Sequence, residues 1–263
     1  MKILVCLKLV PNVREAKIDP VTNNLDRSSM RMVVNPSDLC GLKFALNIKD
    51  ALDDTEISVL SMGTMAAEKF LRDAIQMGAD KAYLLSDMAF KGSDTLATSY
   101  SLSRAIKSLG DFDLIITGDS TLDGDTGQVG PELSKFLDFN LLSFIKDIKY
   151  EDESFIVTRI SNDREEEVRA KAPLLVTALK DSVPRPSKFS RGREEIAQEA
   201  EIKILSSENV DFDEDRIGQK GSPTIVKEVF PPVHNEPGQF IEGSIDEKVK
   251  GLIDILRERK VIE

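Results

Sequence analysis

Residues 114–131 read LIITGDSTLDGDTGQVGP. An apolar run over 114–117 passes into a loop holding Gly118, Gly124, Gly127 and Gly130, and a helix is expected to open at Pro131, a residue suited to a first turn. Three other short apolar runs, at 2–10, 57–62 and 82–85, are separated by helical patterns. That alternation is the mark of a parallel sheet covered by helices, so the expected fold class is α/β.

The intervening segments carry their own signals. Asn35 followed by Pro36 predicts an N-cap and first turn, opening a helix with Leu39, Leu42, Phe44, Ala45 and Ile48 inside. Ala67, Phe70, Leu71, Ala74 and Ile75 recur at helical spacing until Gly78. Ser93 and Asp94 cap a third helix that reaches about Leu109. Between 13 and 34 the pairs Asp19-Pro20 and Asn23-Asn24 are turn chemistry, read as an inserted hairpin. Alternating apolar residues over 143–178, among them Phe155, Val157 and Ile160, predict antiparallel strands added to the parallel sheet.

The α/β domain is expected to span 1–205 and to be followed, over 206–263, by an arm ending in a helix. Gly218, Gly221, Pro223, Pro231, Pro232, Pro237 and Gly238 leave the arm few places for regular structure. At the end, Ser244 and Glu247 make a capping box, and Ile245, Val249, Leu252, Ile253 and Leu256 share one face. That face is expected to dock on a partner chain.

Composition excludes several functions. With 46 acidic and 35 basic side chains in 263 residues, the net charge of −11 opposes nucleic-acid binding. Cys6 and Cys40 lack metal-ligand spacing, and His234 has no second imidazole, so no zinc site and no histidine-based triad is expected. Cys6 reads as a small buried hydrophobe. No apolar run approaches the roughly 20 residues of a membrane span, and the chain is expected to be cytoplasmic, without membrane insertion.

Backbone amides at the start of a helix are unpaired and carry the positive end of its dipole, so the loop can hold a phosphate without a basic side chain. No lysine is present for a Walker motif, and Gly124, Gly127 and Gly130 are spaced by three after the fourth strand, unlike a dinucleotide fingerprint after the first. Asp119, Thr121, Asp123 and Gly124 begin like a calcium loop, but position twelve is Gly130. A surface loop with ordinary capping residues is the alternative.

At this loop the chain resembles the β subunit of electron-transfer flavoproteins. Residues 2–11, KILVCLKLVP, are similar to that family's opening strand, and Asn35-Pro36 with Asp38 matches its turn beside the adenine. Gly92-Ser93-Asp94-Thr95 with Ala97 and Thr98 resembles a further conserved turn, and DGDTGQVGP at 123–131 resembles the loop of the electron-bifurcating, FAD-binding subfamily. Arg159 to Thr177 is similar to the family signature that ends Pro-apolar-apolar-Thr, with Asn162 and Arg164 as departures, and Pro184-Arg185 leads into the family's docking segment.

The resemblance implies a nucleotide-binding α-hydrolase-like fold and a heterodimer with an α subunit. It implies FAD, or AMP in non-bifurcating members, with Gly124, Asp125, Thr126, Gly127, Gln128 and Val129 as the pyrophosphate cradle and Gly118 and Asp123 as further cofactor-binding residues. Cys6, Leu7, Asn35, Asp38, Met62 and Gly63 would lie about the adenine and ribose, with Asp94, Thr95 and Thr98 on the neighbouring wall. The bifurcating reaction it implies takes electrons from NADH to ferredoxin and, through the α-subunit FAD, to a flavin-linked dehydrogenase of acyl-CoA or 2-hydroxyacid type. Catalytic side chains are not expected. Arg185, Lys188, Arg191 and Arg193 would dock the dehydrogenase, although a charge run alone reads as a solvated face, and Leu252 and Leu256 would dock the α subunit. A universal-stress-type nucleotide sensor is the remaining reading; its loop needs a later Gly-Ser/Thr where this chain has Asn140.

Overall fold

The computed structural model describes residues 1–12, 17–18, 25–26, 31–189, 191–227, 238 and 240–262. The main sheet contains β1 (Lys2–Cys6), β6 (Glu56–Met62), β7 (Lys81–Leu85), β8 (Leu114–Gly118), β9 (Asn140–Glu151), β10 (Ser154–Ser161), β11 (Arg164–Ala170), β12 (Leu174–Ala178) and β13 (Ile202–Leu205). Two short antiparallel pairs stand apart, β2 (Leu9–Pro11) with β5 (Met32–Val34) and β3 (Lys17–Ile18) with β4 (Leu25–Asp26). The helices are α1 (Pro36–Ala51), α2 (Glu68–Met77), α3 (Thr95–Leu109), α4 (Val129–Leu137), α5 (Glu194–Glu199) and α6 (Ile245–Glu258).

The strand order is β11-β10-β9-β12-β8-β1-β6-β7-β13, parallel from β9 through β13 and antiparallel over β9, β10 and β11. The chain steps from β1 to β6 to β7 in one direction and then crosses back, through α3, to β8 on the other side of β1. Helices α1 and α2 bury Leu42, Phe44, Leu71 and Ile75 against one face of the sheet, while α3 and α4 bury Tyr100, Leu102, Ile106 and Leu133 on the other. Strands covered on both faces must be apolar throughout, which explains the runs Ile3-Leu4-Val5 and Leu114-Ile115-Ile116, all with no exposed surface. Burying each such side chain stabilises the fold by about 2 kcal/mol.

Several sequence expectations are refined. The first apolar run is two strands, because the chain leaves the main sheet after Cys6 and the Lys8 N–H is taken by the Asp38 carboxylate at 2.7 Å. Helix α4 opens at Val129, so Pro131 is its third residue, still within the turn whose N–H groups lack helical partners. Asn35 occupies the N-cap position of α1 without capping it, since its side chain is committed elsewhere. Asp94 caps α3 as expected, accepting from the Ala97 N–H at 3.1 Å.

The stretch read as purely antiparallel ends in β12, which is parallel to β8 and β9 and lies between them. Strand β13, an edge strand, was missed. The turns Asp19-Pro20 and Asn23-Asn24 lie outside the described residues, as do His234, Pro231, Pro232 and Pro237.

The chain divides into compact units Met1–Lys227 and Glu228–Glu263. The first 22 residues beyond 205 therefore belong with the α/β domain: Val210 and Ile217 are buried in its second core, and Arg216 lies over the Tyr100 ring at 4.1 Å. Proline and glycine there leave room for one 3-10 turn, Glu214–Arg216, and do not prevent packing. In the second unit, α6 carries the expected capping box, Ser244 with Glu247, and Ile245, Val249 and Leu252 are exposed.

Candidate functional site

The reversal of strand order between β1 and β8 opens a crevice at the carboxyl ends of the strands, the place where doubly wound sheets take ligands. Cys6 and Leu7 stand at the end of β1, Met62 and Gly63 at the end of β6, and Gly118 at the end of β8. Sheet register alone brings these five expected residues to one edge.

A buried carboxylate ties this edge together. Asp38, 4% exposed, accepts from the Asn35 side-chain amide at 2.9 Å and the Gly118 N–H at 3.0 Å through Oδ1, and from the Lys8 N–H at 2.7 Å through Oδ2. Asn35 also donates to the Ser120 carbonyl at 2.8 Å. A Cβ on Gly118 would lie 2.3 Å from Asp38 Oδ1, so only glycine admits this approach. Burial pushes the Asp38 carboxyl up to about 7, against the opposing pull of Asn35, the two backbone donors and the Lys8 charge. Burial, and then the Asp38 charge, push the Cys6 thiol up to about 12, so it stays protonated at neutral pH and offers no thiolate.

Beyond Gly118 the glycine-rich loop is open to solvent from Asp123 to Gln128. Asp125 and Gly127 have φ values of 47° and 63°, and the Asp125 N–H bonds the Thr121 carbonyl at 2.9 Å. The N–H groups of Thr126, Gly127 and Gln128 bond to no described residue. They precede the first turn of α4, where Gly130 packs so closely that a Cβ would lie 2.7 Å from Thr117 Oγ1 and from Thr177 Cγ2. Lys8 reaches Asp123 with Nζ at 2.9 and 2.8 Å from its two oxygens. Burial would raise the Asp123 carboxyl, but Lys8, the Thr121 hydroxyl and the Gly124 N–H outweigh it and hold the group below its ordinary value.

The wall formed by α3 divides in two. Thr95 joins the loop, its hydroxyl 3.0 Å from Gln128 Oε1 and 3.2 Å from Glu132 Oε1, and Thr98 is half-buried one turn on. Asp94 turns away: one oxygen caps α3 and the other accepts from the Thr224 N–H at 3.0 Å and hydroxyl at 2.8 Å. Burial works to raise its carboxyl, and these donors hold it below its ordinary value.

Sequence reasoning missed Lys8, Asp119, Glu132 and Thr224. Lys8 was legible as the one charge inside an apolar run, and Asp119 as an acid directly after a strand; Thr224 had no signal, because its partner is 130 residues away. Asp119 Oδ1 is buried and accepts no bond from the described residues, an acceptor that a ligand hydroxyl would satisfy.

The basic segment behaves differently. Lys188 pairs with Asp73 at 3.3 Å, Arg191 with Asp50 at 2.7 Å, and Arg193 donates to the Ala79 carbonyl at 2.8 Å and lies 3.9 Å from Asp80. Of the four expected docking cations, Arg185 makes no ion pair with a described residue, and it lines a cavity. On α6, Leu252 is half exposed and Leu256 partly covered.

The described residues hold no cluster of acids, cysteines or histidine suited to a metal ion, and no helix long and apolar enough to cross a membrane. The topology and its crevice define a doubly wound, Rossmann-like α/β protein. The Electron transfer flavoprotein domain matches residues 22–206. The chain is 38% identical, over the whole of both chains, to "Electron transfer flavoprotein subunit beta" of Thermoanaerobacterium thermosaccharolyticum. It is 39% identical, again over the whole of both, to "Caffeyl-CoA reductase-Etf complex subunit CarD" of Acetobacterium woodii. With "Protein FixA" of Bradyrhizobium diazoefficiens it shares 37% identity over 96% of this chain and 90% of that one. The chain belongs to the electron-transfer flavoprotein β-subunit family, and a β subunit implies an α-subunit partner.

Proposed function

We propose that this β subunit binds FAD at the crevice between β1 and β8 and takes part in electron bifurcation. The observation that carries the reading is the open loop at the start of α4, where the N–H groups of Thr126, Gly127 and Gln128 have no described partner and Gly127 adopts a left-handed φ. Such a cradle suits a pyrophosphate, whose charge meets amides and the helix dipole. Asp119 Oδ1 then accepts from a ribose hydroxyl, and Thr95 with Gln128 closes the α3 side. Asp38 acts behind this surface, positioning Lys8, Asn35 and Gly118.

Bound there, a flavin would supply two-electron chemistry with NADH and one-electron transfer towards ferredoxin and, through the α-subunit FAD, towards a partner dehydrogenase. The described residues of this chain would hold and orient it. The name of the Acetobacterium relative, which joins it to a CoA-ester reductase, favours a dehydrogenase of acyl-CoA type over a 2-hydroxyacid type. For docking on the α subunit we assign the Leu252 and Leu256 face of α6. The ion pairs of Lys188, Arg191 and Arg193 pin the segment that presents Phe189, 73% exposed, to the dehydrogenase. The proposed compartment is the cytoplasm.

AMP in the same cradle, with this subunit as a scaffold for ordinary electron transfer, is the second reading; the amide cradle serves either nucleotide. The test is the FAD and AMP content of the purified heterodimer after denaturing release. Two FAD and no AMP are expected; one FAD with one AMP selects the scaffold reading, and no nucleotide beyond the α-subunit flavin overturns both.

A further inference from the structure

Behind Leu7 and Leu122 a cavity of about 350 Å³ opens beside the nucleotide crevice. Its walls are apolar: Met32 and Val34 from β5, Leu39 from α1, and Phe70 and Met77 from α2. Three cations, Arg31, Lys180 and Arg185, also line it, and their side chains make no ion pair or hydrogen bond with any described residue. The neighbouring Lys188 and Arg191, by contrast, both find carboxylates. The carboxylate on the cavity wall, Asp73, is itself engaged by Lys188 at 3.3 Å.

Unpaired cations beside an apolar wall have two ways to be satisfied, water or an anion, and an anion attached to an apolar body uses the wall as well. We infer that this cavity is a second ligand site, for a phosphorylated heteroaromatic of mononucleotide size. Its anionic group meets Arg31, Lys180 and Arg185, and its ring lies against Leu39, Phe70 and Met77. The volume sets the size, because ligand cavities run from about 300 to 1,000 Å³ and this one is at the small end, too small for a whole dinucleotide. The site stands on the cavity and its cations and is separate from the cradle assignment.

The test titrates the heterodimer, saturated with its own nucleotide, with flavin mononucleotide and with riboflavin, which share a ring and differ by the phosphate. Flavin mononucleotide is expected to bind at least about tenfold more tightly and to weaken as salt is raised. The double variant Lys180→Gln with Arg185→Gln is expected to remove that tenfold preference, leaving riboflavin binding and nucleotide content unchanged. Equal binding of the two probes, or full retention of the preference in the variant, overturns the site. A variant that binds flavin mononucleotide normally but delivers electrons slowly to the dehydrogenase also overturns it, making these cations a protein-docking surface. Nucleotide content is read separately, so failure of the cradle reading leaves this result interpretable.

Discussion

The loop from Gly118 to Gly130 and the segment from Arg185 to Arg193 were both expected to face partners, and the fold treats them in opposite ways. The loop keeps its amides open, and the closest packing lies behind it, at Gly118 and Gly130. Lys188, Arg191 and Arg193 of the basic segment fold back on Asp73 within α2, Asp50 near the end of α1 and Asp80. A backbone-built site is encoded where it stands, because glycine and helix starts set local geometry. A charged side chain pairs with whatever acid the tertiary structure supplies, so a run of cations says little about what they meet.

The largest expected effect is at the base of the loop. Gly118→Ala puts a methyl 2.3 Å from a carboxylate held by three donors. It should lower stability by about 3 kcal/mol in urea denaturation and abolish bound nucleotide. An unchanged midpoint would show that the carboxylate can move and would break the comparison at its strongest point.

Next is Asp38→Asn, which turns an N–H group toward one of the three donors and should destabilise by about 2 kcal/mol near pH 6. The pH dependence has a definite sign. The carboxyl is raised from 3.8 to about 7, so the stability carried by its neutral form is complete below about pH 4 and is lost as pH rises through about 7. The gap between wild type and variant should therefore narrow from pH 5 to pH 8, measured as the difference in denaturation midpoint. Lys8, Cys6 and Asp123 are the titratable groups about it, and a gap that widens would mean the Lys8 charge and the three donors override burial.

Gly127→Ala tests the loop's backbone directly. At φ 63°, with a Cβ 3.2 Å from the Asp119 carbonyl, it should cost about 1 kcal/mol and weaken nucleotide binding while leaving the fold intact. The smallest effect belongs to the basic segment. Arg191→Ala removes an ion pair whose side chains are 29% and 50% exposed, so about 0.5 kcal/mol is expected, with nucleotide content unchanged by chromatography. Loss of nucleotide in that variant would erase the distinction between the two regions.

Much of this fold was legible. The four apolar runs hold β1 with most of β2, then β6, β7 and β8, and Asp94, Gly78 and the Ser244–Glu247 box ended or began helices as their chemistry requires. What failed to show were pairings with no local mark. Strand β12 was grouped with the alternating strands before it, although its own five residues form the unbroken buried run of a parallel strand covered on both faces. Asn35 had the signature of a cap and instead serves Asp38 and Ser120, a carboxylate and a carbonyl that the fold brings to it.

The sequence by itself determined the α/β class and the glycine-rich loop, because periodicity, helix ends and glycine positions act over a few residues, and the resemblance of its motifs pointed to the family. Only the tertiary structure decided that Lys8 meets Asp123, that Thr224 returns to Asp94, and that three unpaired cations share one cavity. The first two contacts join residues 115 and 130 apart, and electrostatic pairing has no sequence period: the partner is whichever group the packing of the sheet and its helices brings within a few ångströms.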